Sequence, residues 1–274
     1  MLRYNDLMDN FLTISHTVDH TPLSFAFHSH DFYELYFYVS GNVTYYIENE
    51  TYYLSKGDIL IIPPGKLHRT VIGEGGLYDR YVLWLYPNRI SEDDGLRALT
   101  ETAESLANEK NTRLVSYDGH ELIFMKELFE KLCEEFREDR PYSYEICRSC
   151  VTLILREVCS ALSSAPVKAA EREELISRVI SRLNADIAAA PSLDELSSEF
   201  YISKYHLAHK FREYTGTTVH RYILMKKINT AKELLENGAQ TSKVCELCGF
   251  STYSNFYKAF TKITGSSPKK YSLK

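Results

Sequence analysis

The chain has 274 residues, 44% hydrophobic and 25% charged, with a net charge of -5. That length suits about two domains, and the composition excludes collagen-like, low-complexity and wholly disordered chains. A net charge of -5 speaks against nucleic acid only as an average. Residues 192–274 hold 13 Lys+Arg and 7 Asp+Glu, for +6, and the first 191 residues carry -11. Two parts with opposite tasks are expected.

The first twenty residues lack a basic stretch followed by an apolar run, so no signal peptide is expected. No run of 18 apolar residues offers a membrane span. Six cysteines in a chain this long do not resemble a secreted disulfide framework, so a cytoplasmic protein is expected.

Residues 25–86 read as short strands rich in Tyr, Phe, Val and Ile, broken by turn signals such as SGN, SKGD and PPGK. Such spacing predicts a sandwich or small barrel. Residues 118–139 place Leu122, Met125, Leu128, Phe129 and Leu132 at helical spacing, with Asp118 as N-cap, and residues 142–162 form a second helix. The two make a hairpin against the barrel or against a partner subunit. The small, polar stretch 163–172 is the expected linker. Beyond it the chain reads as helices over 171–189, 192–199, 203–215, 218–237, 241–248 and 252–263.

That helical half repeats at an offset of 49 residues. SKYHLAHKFREYTGTTVHRY from 203 lies over TYSNFYKAFTKITGSSPKKY from 252, matching Leu207 with Phe256, Phe211 with Phe260 and Gly216 with Gly265. Each copy is a short helix, a tight connection and a second short helix with a glycine C-cap, the helix-turn-helix pattern. Ser203 and Thr252 are the expected N-caps. The 20-residue helix between the copies spans roughly 30 Å, close to one turn of B-DNA, so both second helices can enter successive major grooves. With the apolar stripes turned inward, Lys204, Tyr205 and His209 lie exposed in one copy. Tyr253, Ser254, Tyr257 and Lys258 do so in the other, and such groups contact phosphates and base edges.

Residues 176–274 resemble the DNA-binding domain of AraC/XylS-family transcription regulators, most clearly in CELCGFSTYSNFYKAFTKITGSSPKKY over 245–271. The resemblance implies two helix-turn-helix motifs, about 192–216 and 241–265, whose named residues face bases or phosphates. Lys227, Thr241, Cys245 and Ser272 depart from the family's usual residues.

In the first half, HSHDFYE over 28–34, then Gly41, and GDILIIPPGKLH over 57–68 are similar to the two cupin motifs, with departures at Pro22 and Ile72. On a regular strand His28, His30 and Glu34 share a face, and with His68 they form a set able to bind a divalent metal. Three readings stand side by side: a metal site, a metal-free pocket in which His28, His30, Glu34, Tyr36 and His68 hydrogen-bond a small effector, or satisfied polar groups at a barrel mouth. Many tyrosines in this half offer faces for a sugar-like ligand, although tyrosine also simply favours strands. The pairs Cys147/Cys150 and Cys245/Cys248 fit buried helical neighbours better than a zinc site.

The expected fold is an α+β multidomain chain. A cupin-like β-barrel (double-stranded β-helix, 1–95) carries a helical hairpin for support and dimerisation (96–162), followed by a linker (163–172) and an all-α double helix-turn-helix (173–274). The expected function is a DNA-binding transcription regulator, not an enzyme. It is expected to bind double-stranded promoter DNA as a homodimer, to meet the transcription machinery and to answer to a small, sugar-like effector, with a divalent metal in the barrel as the one cofactor under consideration. The effector is expected to act through the linker by changing domain placement. The alternative is a metal-dependent cupin enzyme with a helical interaction module.

Overall fold

A computed structural model describes residues 11–19, 24–74, 77–138, 140–167 and 174–272. The first half is built on strands β1 (Leu12–Asp19), β2 (Tyr33–Ser40), β3 (Val43–Ile47), β4 (Glu50–Tyr53), β5 (Asp58–Ile62), β6 (His68–Ile72), β7 (Tyr78–Leu85) and β8 (Leu114–Ser116). They form two antiparallel sheets, ordered β1-β7-β2-β5-β8 and β4-β3-β6.

Strand β2 shows how the sequence builds the layers. Successive side chains of a strand leave on opposite faces. Leu35 and Phe37 therefore join the core on the helical side, while Tyr36 and Tyr38 join the core between the sheets. A strand covered on both faces has no polar side, which is why YELYFYV reads as almost unbroken apolar and aromatic residue. The inner core is tyrosine-rich, with Tyr45, Tyr52 and Tyr78 packed beside Leu60 and Ile62.

Four helices cover the outer face: α1 (Pro87–Ile90), α2 (Asp94–Glu109), α3 (Gly119–Arg137) and α4 (Ser143–Ser164). Met125, Phe129 and Leu132 of α3 and Val151, Ile154 and Val158 of α4 share one core with Leu35, Phe37 and Leu83 of the sheet. The hairpin therefore spends its apolar stripe on the barrel. Asp118 occupies the N-cap position of α3, but its side chain makes no capping hydrogen bond.

The barrel is larger than the sequence suggested. Strands β1 and β8 lie outside 25–86, and β8 adds an edge strand from the segment read as purely helical. Strand β8, with three residues, is too short to show alternation, whereas β1 alternates Leu12, Ile14 and Val18 with polar residues and simply lies outside the range read as strands. Residues 25–32 hold no strand of their own, only isolated bridges such as His28 to His68.

The second half consists of α5 (Leu175–Ala185), α6 (Leu193–Glu199), α7 (Lys204–Thr215), α8 (Val219–Glu236), α9 (Thr241–Leu247), α10 (Tyr253–Thr264) and α11 (Pro268–Tyr271). The repeat is realised in detail. Ser203 accepts from His206 N and Thr252 from Asn255 N, while Gly216 and Gly265 close α7 and α10 in the left-handed conformation. The expected helix over 171–189 is the shorter α5. Residues 168–172 of the expected linker lie outside the described residues, and α4 runs through Ser164. All six cysteines are free, and the four of the two pairs are buried, as the helical-neighbour reading required.

The two halves meet directly. Phe27 and Leu67 of the barrel complete the core of the first helix-turn-helix, alongside Val179, Leu196, Leu207, Phe211 and Tyr222. The second helix-turn-helix has its own core around Phe256, Phe260 and Ile228.

Candidate functional site

The reading helices present the residues that the apolar periodicity left over. Leu207, Phe211, Phe256 and Phe260 are fully buried, and the opposite faces stay open. Tyr205 is 87% exposed, Tyr253 45% and Tyr257 43%, and Lys204, His209, Ser254 and Lys258 are exposed too. Tyr253 packs its ring against Phe256 and Tyr257, and Lys204 Nζ lies 2.8 Å from Asp194 Oδ2 on α6. That pair holds the ammonium at the start of α7.

Between the two units, α8 has 18 residues, about 27 Å at 1.5 Å per residue, slightly shorter than expected. Lys227, the departure from the family's usual arginine, is a tie inside the domain. Its Nζ donates to Ala188 O at 3.0 Å and Gly249 O at 2.8 Å, fastening α8 to the connections on both sides. Sequence reasoning missed Tyr201, 95% exposed in the turn between α6 and α7 with φ of 54°. An aromatic at a turn carries no periodic signal.

The second feature lies at the barrel mouth. Ligating atoms of His30, Glu34 and His68 lie within 4.8 Å of one another. His28 stands beside them, its ring centroid 4.4 Å from that of His68. Glu34 is the second residue of β2 and His68 the first of β6, while His28 and His30 sit on the irregular 24–32 segment. The four therefore converge, but through a strap that lies across the mouth and not through the shared strand face that parity predicted.

Glu34 is buried and well supplied with donors. Tyr45 Oη donates to Oε1 at 2.8 Å, and Trp84 Nε1 donates to Oε2 at 2.9 Å. Burial alone raises the carboxyl; the imidazoles of His30 and His68 and the Tyr45 hydroxyl outweigh it and hold it at about 2. His68 is driven the other way from a base's ordinary value: burial lowers it to about 4, against the pull of Glu34, so its ring is neutral at pH 7. The site sets the buried Glu34 carboxylate against the buried ring of His68.

Tyr36, the expected pocket tyrosine, lies one ring deeper, its ring tilted against that of Tyr45 at 4.9 Å and its hydroxyl bonded to that of Tyr78. Tyr45 and Trp84, and not Tyr36, join His30 in touching Glu34. Trp84 comes there because β7 pairs with β2 in a register that sets it opposite Glu34, which no local pattern announces.

Beside the mouth, between barrel and helices, is a cleft of about 660 Å³ lined by Asp31, Phe32 and Tyr86 on one side and Asn229, Lys232 and Tyr271 on the other. None of His28, His30, Glu34, Tyr36 or His68 lines it. Across this seam Asn229 Nδ2 donates to Gly65 O at 2.8 Å and to Ser29 Oγ at 3.0 Å. Lys232 Nζ donates to Asp31 at 2.6 Å.

Comparison with known proteins agrees with this geometry. The family described as AraC-like ligand binding domain matches residues 14–143, and a helix-turn-helix domain family matches residues 196–274. The HTH-type transcriptional activator RhaR of Escherichia coli (strain K12) is 24% identical over 252 residues, covering 90% of this chain and 86% of RhaR. ToxT from Vibrio cholerae aligns over 96% of this chain and 98% of its own, at 14% identity and a TM-score of 0.39. The DNA-binding domain of AdpA, solved with a target DNA, is 22% identical over 37% of this chain and 92% of its own, with a TM-score of 0.36. No described helix is long and apolar enough to cross a membrane. With regulator modules matched in both halves, the metal-dependent enzyme is set aside. The chain belongs to the AraC family of transcription regulators, with a cupin-like ligand-binding domain followed by a helix-turn-helix DNA-binding domain.

Proposed function

We propose that the chain binds a specific promoter site in double-stranded DNA through α7 and α10, and that a small polar effector at the barrel mouth tunes that binding. The observation that carries the reading is the pair of exposed helix faces, each backed by a buried stripe, at the two ends of one helix of about 27 Å. Lys204, Tyr205 and His209 take one major-groove segment; Tyr253, Ser254, Tyr257 and Lys258 take the next. The +6 charge of residues 192–274 supplies phosphate attraction that weakens with salt.

The effector site is the mouth: His28, His30, Glu34 and His68, with Tyr36 deeper, and the adjoining cleft. A sugar-like molecule suits the cleft, where the faces of Phe32 and Tyr86 stand beside Asp31, Asn229 and Lys232. Because α8 forms one wall, an occupant there acts on the helix that spaces the two readers, in addition to any action through the linker. Exposed Ile123, Phe124 and Leu153 on the hairpin support a homodimer, which would present paired readers to DNA and to the transcription machinery in the cytoplasm.

Footprinting on the DNA upstream of the chain's own gene, with and without a panel of sugars, tests the reading. Two protected segments about one helical turn apart are expected, altered by one of the sugars. Protection that ignores sequence, or that persists unchanged when His209 and Lys258 are both replaced by alanine, overturns it.

A further inference from the structure

The first helix of each DNA-reading unit ends in the same way. After α6, Tyr201 N–H donates to Ser198 O at 3.3 Å and Ile202 N–H to Ser197 O at 3.0 Å. After α9, Gly249 N–H donates to Glu246 O at 2.8 Å and Phe250 N–H to Cys245 O at 3.1 Å. Both are Schellman caps, in which the residue just past the cap turns left-handed. In the second unit that residue is Gly249, with φ of 67°; in the first it is Tyr201, with φ of 54°. Glycine takes this conformation freely, whereas any residue with a Cβ is strained by it.

Nothing inside the protein offsets the strain at Tyr201. Its side chain is 95% exposed and makes no hydrogen bond, ring contact or ion pair among the described residues. Of the four described non-glycine residues with positive φ, it is the one in the DNA-binding half. A strained residue that serves no contact of the fold points to a role outside it. Its place supplies that role. In a helix-turn-helix the first helix crosses the DNA backbone, and the N-terminal residues of the second meet base edges in the major groove. The turn between them therefore passes over the rim of the groove, where the sugar-phosphate chain runs. Tyr201 stands in that turn, two residues before Ser203, the N-cap of α7.

We propose that Tyr201 anchors the first unit to DNA by donating its hydroxyl hydrogen to a backbone phosphate at the rim of the groove that α7 enters. The proposal rests on the reading of α7 as a DNA-reading helix. Contacts of this kind fix register and orientation and carry no sequence information. The second unit has no counterpart. Gly249 lacks a side chain, and a Cβ there would lie 2.0 Å from Ala188 O, so no residue with a side chain fits. The two copies of the repeat therefore hold DNA unequally, and the first carries one backbone contact more at its turn.

The test uses the full chain and the DNA segment it protects upstream of its own gene, with Tyr201→Phe and Tyr201→Gly. Glycine relaxes the turn and removes no contact, so Tyr201→Gly should keep the urea midpoint at or above that of the wild type. Both variants should nevertheless bind the DNA about tenfold more weakly, as the loss of a hydrogen bond to a charged acceptor does. The salt dependence should stay unchanged, because a neutral hydroxyl displaces no counterion. The loss should be equal on DNA with altered base pairs in the α7 segment. Ethylation of one phosphate beside that segment should hinder the wild type and be indifferent to Tyr201→Phe. Full affinity in both Tyr201 variants, with binding lost in His209→Ala, overturns the anchor and leaves α7 a reading helix. Full affinity in the Tyr201 and His209 variants alike overturns that reading and the anchor with it. A lower urea midpoint for Tyr201→Gly would show that the fold uses the ring, and a loss confined to particular base pairs would show a base contact; either overturns the proposal.

Discussion

Lys226 Nζ on α8 lies 2.5 Å from Glu48 Oε1 in the β3–β4 turn, so the helix joining the two DNA-reading units is ion-paired to the barrel. Both side chains are largely buried, and Lys66 approaches the same carboxylate at 3.7 Å. The pair is a clasp on the seam, at some distance in sequence from anything else that marks it.

Replacing Lys226 by methionine leaves a buried carboxylate with only part of its compensation, because Lys66 remains. A loss of about 2 kcal/mol is expected, the low end for a broken buried pair, read as the shift of the urea midpoint. Burial raises the Glu48 carboxyl, and Lys226, Lys66 and Arg113 together hold it below the ordinary range. Its stabilising contribution is therefore present above about pH 4.3 and lost as pH falls through the folded value. That acid loss should be smaller in Lys226→Met; equal pH profiles for the two proteins would count against the clasp.

Gly216 and Gly265 occupy equivalent C-caps, with φ of 68° and 70°, yet a Cβ on Gly216 would lie 2.7 Å from Ala26 Cα and one on Gly265 would meet nothing within 4 Å. Gly265→Ala should cost about 1 kcal/mol for the left-handed backbone alone. Gly216→Ala carries the same strain and must also push the barrel strap away. A larger loss of stability for Gly216→Ala in the full chain is expected, and equal losses would mean that the seam opens freely.

Phe27 is 3% exposed, seated in the core of a domain to which it does not belong in sequence. Phe27→Ala should destabilise the full chain by about 3 kcal/mol or more, as a core cavity does. Alternatively the domains separate, and then the loss is small while the radius of gyration from small-angle scattering rises. Neither change would place Phe27 outside the core.

His209→Ala and Lys258→Ala remove exposed groups and should leave the melting temperature unchanged while weakening specific DNA binding by about 1–3 kcal/mol each. For Lys258 the salt dependence should fall by about one phosphate contact. Full affinity in both variants, measured by fluorescence anisotropy, would remove α7 and α10 from the interface.

The helix-turn-helix half was legible almost to the residue because its information is local. A buried stripe every three or four residues, a Ser or Thr before each second helix and a glycine after it are consequences of helix geometry that any single copy displays, and the 49-residue repeat displays them twice. The barrel was legible as strands but not in extent. Strand β8 has three residues, and it exists because β5 offers an edge and not because LVS demands extension.

What the sequence by itself determined is the pair of domains, the opposite charges they carry, the exposed faces of α7 and α10 and the grouping of His28, His30, Glu34 and His68. The tertiary structure alone decided how these meet. It brought Tyr45 and Trp84 to Glu34 through strand register, and it turned alternate residues of one short strap toward a histidine cluster and toward α8. Such pairings depend on the relative placement of elements far apart in the chain, and side-chain period within an element carries no record of it.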